Sequence, residues 1–520
     1  MKSWPLLAAT AAALARAQFC EHQWQGQFAK REDQQPPHLQ LQQRQTTTPP
    51  PPLEIRPLIV NGPSENRVDL IFFGDGYTEG EKDKFFDDAM ALATELTDGR
   101  TFADVLPVMN WWAGFTASNE SGIGVGGVPK DTVYGLYRDG TELRGVYYDK
   151  PDVARAACSS TTACDYPMLL GNDDLYGGLG GEFTVTTASR VNGAVILRHE
   201  LGHSIIGVGE EYDGGEVYGG VNSAQNGDDV PWKSWYSVPE KEPDLQRSNM
   251  PIQGYPWTLL NTTTAWSTSF PSAGTYDSYS LQFSISGVSA TEDLMVTLDG
   301  EDVGWKYKEG VGLDRIIYRL PFRDAKLSGG IHNLTFELKS KELEGTAQLC
   351  NFQVLEYGAA DEQFNFTIGH HSLYPTYNIR NQTTYRPTND LCLMRDVYTS
   401  EFCNACIEGL WRALLTPLTL IDNVTQTAAD SSTPGSTQVE LALLPLASLR
   451  KIPNNATESY VITWFGEDDS VVLEEWANKT TAVLGPDVGS FGVEVRFVSS
   501  QIRDDPQGVT RQKGRYSVQT

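Results

Sequence analysis

The chain is poor in positive charge. It carries 40 lysine and arginine residues against 67 aspartate and glutamate residues, which gives a formal net charge of −27 and a pI near 4.6. A surface of that sign repels the phosphates of nucleic acids and anionic lipid headgroups. We therefore expect neither nucleic acid nor a membrane among the partners of this protein.

Long apolar runs are also missing after the N-terminus. A membrane-spanning helix needs roughly 20 apolar residues, whereas the first apolar run is shorter, follows Lys2 and ends in the triplet Ala-Arg-Ala. This pattern predicts a signal peptide over residues 1–17 and hence a secreted, extracellular protein. Eight Asn-X-Ser/Thr sites agree with secretion and predict N-linked glycans. They lie at Asn119, Asn261, Asn333, Asn365, Asn381, Asn423, Asn455 and Asn478.

Cysteine is scarce and odd in number. Seven cysteines suit an oxidising compartment, and at least one of them must be free or paired outside the chain. Cys403 and Cys406 form a CxxC, a spacing found in redox and zinc motifs. Because neither a second CxxC nor a thioredoxin-like βαβ pattern accompanies it, the favoured interpretation is a structural disulfide or buried thiols.

Composition divides the chain into segments. Residues 18–55 are rich in Gln, Pro and Thr and hold too few apolar side chains for a core, so we interpret them as a linker or pro-segment. The run RVDLIFFGDGY then predicts a buried strand and turn, and TEGEKDKFFDDAMALATEL a helix. Thr78 and Glu81 fit a capping box at its start. Such alternation of strands and helices indicates an α/β layer arrangement.

Two further segments have the pattern of all-β structure. Short alternating runs separated by Gly, Asp and Ser predict an antiparallel β-sandwich over residues 261–357. Helical spacing returns after it, so the sandwich is an insertion in an α/β unit formed by residues 56–260 and 358–425. Residues 426–520 contain another set of short strands and predict a C-terminal β-rich domain.

Histidine is as scarce as cysteine, with seven of each in the chain. Two of the seven histidines lie four apart in RHELGHSIIGVGEEYDGG, residues 198–215. On a helix, His199 and His203 share one face about 6 Å apart, so both can direct a ring nitrogen at one ion. Glu200 lies beside them and can take a proton from a water without binding the metal, as in HExxH enzymes. An ordinary structural helix is the alternative, but so few histidines make this spacing rare by chance.

The residues after the helix supply candidates for a third ligand. Gly207 offers a position of positive φ at which the helix can stop and the chain can turn back. Glu210 or Glu211 can then return to the metal. A catalytic zinc takes three protein ligands and keeps one position open.

These residues resemble the motif H-E-x-G-H-x-x-x-G-x-x-D-E-Y of the IgA peptidase family, secreted zinc metallopeptidases related to the metzincins. The matching positions are His199, Glu200, Gly202, His203, Gly207, Glu211 and Tyr212. Position 210 carries Glu where the family usually has Asp. The resemblance implies that Glu210 is the third ligand, with Glu211 as the alternative, and that Tyr212 supports the metal shell or packs beside it.

Other segments extend the resemblance. LIFFGDGYTEGEKDKFFDD is similar to the family's first strand, turn and helix, and YGGLGG to its glycine-rich loop. CLMRD resembles the methionine turn beneath the zinc of metzincin-like enzymes, which assigns Met394 to that turn; core packing is the alternative. The resemblance covers roughly residues 66–215 and 385–415. It implies an α/β (α+β) metzincin-like zinc peptidase domain, with the inserted β-sandwich and the C-terminal β-rich domain outside the shared motifs.

The expected function is that of a secreted zinc endopeptidase acting on proteins or peptides. His199, His203 and Glu210 would hold Zn²⁺, and Glu200 would activate water and pass its proton to the leaving amine. The alternative is a secreted glycan- or protein-binding protein whose β modules carry the function and whose metal site is structural. A structural zinc site is usually closed by four protein ligands, so metal coordination separates the two.

Overall fold

The structure, a computed structural model, describes residues 47–239, 243–360, 362–429 and 434–518. The predicted signal peptide and most of the Gln/Pro-rich segment lie outside the described residues. Five α-helices are present in the described ranges. They are α1 (Lys82–Leu96), α2 (Phe102–Val105), α3 (Pro151–Ser159), α4 (Gly193–Ile205) and α5 (Asn404–Leu415).

A six-stranded mixed sheet supports the first four helices. The strands up to residue 187 are β1 (Glu54–Ile59), β2 (Val68–Asp75), β3 (Met109–Phe115), β4 (Leu136–Tyr137), β5 (Tyr147–Tyr148), β6 (Tyr166–Gly171), β7 (Gly178–Leu179) and β8 (Thr184–Thr187). The sheet has the order β1-β3-β2-β6-β8-β7, and β4 pairs with β5 in a separate hairpin. Its four central strands are parallel, whereas β1 and β7 run antiparallel at the two edges.

Strand β2 shows why this sheet has helices on both faces. All eight of its residues are buried, as expected for a central parallel strand. Leu70 and Phe72 share a core with α1 and α4, while Ile71 and Phe73 share another with α3. Successive side chains of a strand point to opposite faces, so one apolar run serves both layers. The predicted buried strand is confirmed, and together with the helices it fits an α+β domain.

The predicted start of the first helix is also confirmed. Glu81 accepts hydrogen bonds from the Thr78 backbone nitrogen at 2.9 Å and from the Thr78 hydroxyl at 2.8 Å. Both halves of the capping box are present, at a short 3-10 turn over Glu79–Glu81 that leads into α1.

Two antiparallel sheets occupy residues 248–357, which comprise the predicted inserted segment 261–357 and two strands that precede it. Their strands are β9 (Ser248–Gly254), β10 (Thr258–Leu259), β11 (Trp266–Ala273), β12 (Ser278–Ser286), β13 (Leu294–Leu298), β14 (Glu301–Asp302), β15 (Arg315–Phe322), β16 (Gly329–Leu338) and β17 (Gln348–Tyr357). One sheet has the order β10-β17-β12-β15, with β9 also on β17; the other has the order β11-β16-β13-β14. Phe283 of the first and Phe336 of the second belong to one apolar core, with ring centroids 5.3 Å apart.

The remaining strands form a hairpin and two three-stranded sheets. They are β18 (Tyr374–Tyr377), β19 (Thr383–Arg386), β20 (Ile421–Ala428), β21 (Thr437–Leu443), β22 (Glu458–Phe465), β23 (Thr481–Leu484), β24 (Ser490–Ser499) and β25 (Arg511–Ser517). The sheets have the orders β20-β21-β23 and β22-β24-β25. They pack against α5, where Trp411 contacts Phe497 and donates a hydrogen bond to Gln501 at 2.8 Å. Over the described part of the chain, every helix is too short or too polar to cross a membrane.

Candidate metal centre

Helix α4 presents both motif histidines on the face opposite the apolar residues that it buries. Ala194, Leu197 and Leu201 lie in the core beneath it. Ser204, in the last turn, hydrogen-bonds Thr184 of β8 at 2.8 Å, which fixes the helix end to the sheet. The predicted helical spacing of the motif is confirmed.

The structure brings His199, His203 and Glu210 together. The two Nε2 atoms are 3.2 Å apart. One oxygen of Glu210 lies 3.1 Å from Nε2 of His203, and the other lies 3.2 Å from Nε2 of His199. Three donor atoms thus converge on one point, which is the arrangement that a metal ion requires.

Backbone carbonyls orient the two imidazoles. Nδ1 of His199 lies 3.4 Å from the Leu393 carbonyl oxygen, and Nδ1 of His203 lies 3.2 Å from that of Val208. Because a carbonyl only accepts hydrogen bonds, each Nδ1 carries a proton, and Nε2 is the nitrogen that can bind a metal once the ring is neutral. Such outer hydrogen bonds are how proteins fix metal-binding histidines in one tautomer.

The charges of the three groups depend on one another. Burial alone would raise the pKa of Glu210, but the two adjacent imidazoles hold it well below its usual range. Burial opposes the charged form of His203, and the Glu210 carboxylate nevertheless raises the pKa of His203 to about 9. A carboxylate held anionic between two imidazoles attracts a cation to the point where they meet.

The return of the chain after α4 differs from the prediction. Ile206 is extended, with φ −101° and ψ 144°, and it ends the helix. Gly207 is not among the residues of positive φ, so the predicted left-handed cap at Gly207 is wrong. Positive φ is found instead at Gly220, which has φ +84° and packs so closely on this segment that a Cβ there would overlap the Gly207 carbonyl oxygen at 1.7 Å.

Glu210 and Glu211 point to opposite sides of this returning segment. Glu211 is fully buried, and its Oε1 accepts a hydrogen bond of 2.9 Å from the side chain of Asn222. The same Asn222 amide holds the backbone of Gly209 through both its oxygen and its nitrogen. Neighbouring residues of extended chain face opposite ways, so only Glu210 reaches the histidines. No local pattern in the sequence predicts the part that Asn222 plays.

Glu200 lies beside the three side chains that can bind a metal and against the glycine-rich loop. It is half-buried and one residue after His199 on α4. A Cβ added at Gly180 would lie 2.7 Å from Glu200 Oε2. The loop after β7 therefore passes close enough to the carboxylate to set its position.

Met394 lies directly under the helix. It is fully buried, and its sulfur would lie 3.1 Å from a Cβ added at Gly202, between the two histidines. The Met394 carbonyl accepts a hydrogen bond of 3.0 Å from the Glu211 backbone nitrogen. The chain turns here, since the Asp396 nitrogen donates to the Cys392 carbonyl at 2.9 Å.

Tyr212 lies beside His199. Their ring centroids are 6.1 Å apart. Burial, and after it the Glu210 carboxylate, raises the pKa of Tyr212 well above its usual value, so its hydroxyl stays neutral. It can donate a hydrogen bond near the site but does not add charge to it.

Comparison with known proteins bears on this site. Residues 57–257 match the family model described as IgA Peptidase M64. The matched segment belongs to the IgA peptidase family. This segment is less than half of the chain. It contains helix α4 and the loop that follows it, with Glu210 and Glu211; we call this loop the return loop. The match confirms the resemblance seen in the motif and supports a metallopeptidase, a hydrolase of peptide bonds.

Other comparisons are uninformative. No curated protein matches the chain. Two solved structures of a β-glucosidase from Kluyveromyces marxianus, one selenomethionine-labelled and one with glucose, are 10% and 9% identical over 49% and 50% of this chain. The alignments cover 44% and 46% of those structures, less than half of their length, with TM-scores of 0.15 and 0.14. Likeness of that degree carries no argument about fold or function.

Proposed function

We propose that the protein is a secreted zinc-dependent endopeptidase in which His199, His203 and Glu210 bind the metal and Glu200 is the general base. The observation that carries the proposal is the convergence of two imidazole nitrogens and one carboxylate, whose nearest atoms lie 3.1 to 3.2 Å apart, beside a second acidic side chain. The family match supports a metal-dependent peptidase at the same place in the chain.

The donor set fits zinc. Metal–ligand distances of about 2.0–2.1 Å in a tetrahedral site separate neighbouring ligand atoms by about 3.3 Å. The separations between the Nε2 atoms of His199 and His203 and the Glu210 oxygens are close to that value. Two imidazoles and one carboxylate are also a ligand set found in catalytic zinc sites, which keep a position open.

The residues around the donors then have separate tasks. Zinc, when bound, acts as a Lewis acid that polarises the scissile carbonyl and makes a water acidic near neutral pH. Glu200 accepts the proton of the attacking water and delivers it to the leaving amine. Leu393 and Val208, through their carbonyls, keep the two imidazoles oriented throughout.

Strand β7 is suited to hold the substrate. It is the last strand of the sheet, and its outer edge pairs with no other strand in the described ranges. An extended peptide can add to such an edge by backbone hydrogen bonds. Since Gly180 follows β7 and faces Glu200, a peptide on this edge would pass in front of the base. Backbone hydrogen bonds of this kind do not require the N- or C-terminus of the substrate to lie in the site. They therefore suit an endopeptidase, which cuts within a chain.

We also infer a metzincin-like arrangement, with Met394 as the methionine turn and the two sheets of residues 248–357 as a sandwich inserted in the domain. The position of Met394 under Gly202 and the apolar core common to both sheets support this inference. Secretion is supported by a disulfide between Cys158 and Cys164, which suits an oxidising compartment. It is also supported by the exposure of the glycan acceptors Asn119, Asn261, Asn333, Asn381, Asn423, Asn455 and Asn478.

The test is the substitution Glu200→Gln. It removes the base but no metal donor, so the variant should retain zinc and lose hydrolysis of a protein substrate. Glu216→Gln is the matched control, because Glu216 is exposed on the loop after the site. If the Glu200 variant cuts at the parent rate, the assigned base is wrong.

A further inference from the structure

A second group of donor atoms lies beneath the first. Glu211, Cys392, Cys403 and Cys406 each direct one sulfur or oxygen atom into a common point, and these atoms all lie within 4.8 Å of one another. The four side chains come from the return loop, the Met394 turn and the start of α5. None of the four is accessible to solvent.

The separations match a four-coordinate metal. Zinc–sulfur bonds of about 2.3 Å in a tetrahedral site place neighbouring sulfurs about 3.8 Å apart. The sulfurs of Cys392 and Cys406 are 3.7 Å apart, and Cys406 Sγ lies 3.8 Å from Glu211 Oε1. Three thiolates and one carboxylate form a closed set, as structural sites have.

The carboxylate is incompletely satisfied without a cation. Glu211 Oε1 accepts hydrogen bonds from Asn222 and from the Cys406 thiol, but Oε2 has no hydrogen-bond partner within the described ranges. A fully buried carboxylate oxygen without a partner is costly, and metal coordination is one of the ways in which proteins remove that cost.

The burial of these three thiols and their odd number argue against a redox role and against a structural disulfide. Thiol–disulfide exchange requires access, and Cys392, Cys403 and Cys406 have no exposed surface. All three are free thiols in the structure, whereas Cys158 and Cys164 are joined. A disulfide within the group would use only two of the three and leave the third beside Glu211.

Two buried basic side chains lie near the group. His371 is buried and lies close enough to Cys403 to interact electrostatically with its thiol. Arg386 is also buried, donates hydrogen bonds to neutral oxygens of neighbouring residues, and acts at longer range on Glu211. A zinc ion held by three thiolates and a carboxylate carries two net negative charges, and the guanidinium of Arg386 offsets one of them.

We propose that Glu211, Cys392, Cys403 and Cys406 bind a second, structural zinc ion. Glu211 follows Glu210, and Cys392 precedes the residue whose carbonyl orients His199. The second ion would therefore clamp together the return loop and the methionine turn, which support the proposed catalytic ion. It is a different site from that one, and the proposal does not depend on hydrolysis.

Metal content of the full-length secreted protein tests the proposal. We expect two zinc ions per chain. The double variant His199→Ala/His203→Ala removes the first site and should retain one ion. If only the second site exists, the parent and this variant both bind one ion, so failure of the proposed function is distinguishable from failure of this proposal. Absence of zinc from the double variant would overturn it.

Cobalt substitution identifies the ligands. Only the second site contains sulfur, so cobalt-loaded protein should show thiolate-to-cobalt charge-transfer absorption, and the histidine double variant should keep it. Cys406→Ser should weaken the band by about a third or more, because one of the three thiolates is lost. Cys350→Ser is the matched control, because Cys350 is a buried free thiol of β17 outside the group.

If Cys406→Ser does not fold, the proposal can still be tested on protein in which all three cysteines are present. In the histidine double variant, the three thiols should resist alkylation until a chelator removes the metal. A missing charge-transfer band in that variant, or a disulfide among the three cysteines in the non-reduced protein, contradicts the proposal.

Discussion

The contact between Gly180 and Glu200 allows the base to be displaced without removing it. In Gly180→Ala the new Cβ would lie 2.7 Å from Glu200 Oε2. Ordinary carbon–oxygen contact needs about 3.3 Å or more, so the carboxylate must move by roughly 0.5 Å. Misplacement of about 1 Å in an active site can cost 10²-fold in rate. We therefore expect kcat to fall about tenfold while the chain stays folded, because the φ of Gly180 is not in the left-handed region.

The assay compares kcat and KM for one protein substrate with zinc content measured on the same samples. Zinc content should equal that of the parent, since Gly180 touches no proposed ligand atom of the metal. Gly219→Ala is the matched control: it lies on the loop after the site, and its Cβ would meet no atom within 4 Å. A Gly180 variant with parental kcat, or one that loses zinc, would refute the placement of Glu200 as the base.

Three further predictions concern binding and stability. Glu210→Gln should weaken zinc binding at the histidines by more than about 100-fold, beyond the typical effect of an outer-shell change; chelator competition measures this, and unchanged affinity would transfer the role to Glu211. Asp213→Asn should lower the free energy of unfolding by about 3–5 kcal/mol, because it removes the negative charge that buried Arg395 contacts at 2.6 Å; a urea titration that shows no loss would contradict this. Burial raises the pKa of Asp165 from 3.8 to about 6. The protonated carboxyl of Asp165 therefore contributes fully to stability below about pH 4. This contribution is lost as the pH rises through about 6, which lowers the free energy of unfolding by at most about 3 kcal/mol. Asp165→Asn should remove this pH dependence from urea unfolding, and an unchanged profile between pH 4 and 7 would argue against it.

Local patterns were sufficient for the elements that depend on neighbouring residues. The capping box at Thr78 and the buried strand β2 each rest on contacts within a few positions or on a single apolar run. The helical face shared by His199 and His203 follows from their spacing alone. Predictions of this kind hold because helix and strand periodicity are properties of the local chain.

Such local patterns could not predict the conformation of the return loop. The orientation of Glu210 towards the histidines depends on Asn222 and on the Met394 carbonyl, which bind the loop from distant positions in the chain. The same holds for the cysteines: Cys403 and Cys406 are recognisable as a pair, but their proximity to Glu211 is a result of tertiary folding. Gly207 shows the opposite case, a plausible local cap that the extended backbone of Ile206 makes unnecessary.

The most direct test of the central claim is a crystal structure of the zinc-loaded protein with anomalous data collected at the zinc absorption edge. We expect an anomalous peak bound by Nε2 of His199, Nε2 of His203 and the carboxylate of Glu210, with no fourth protein ligand. A peak at this place with Glu211 as the third ligand, with four protein ligands, or no peak there at all would contradict it.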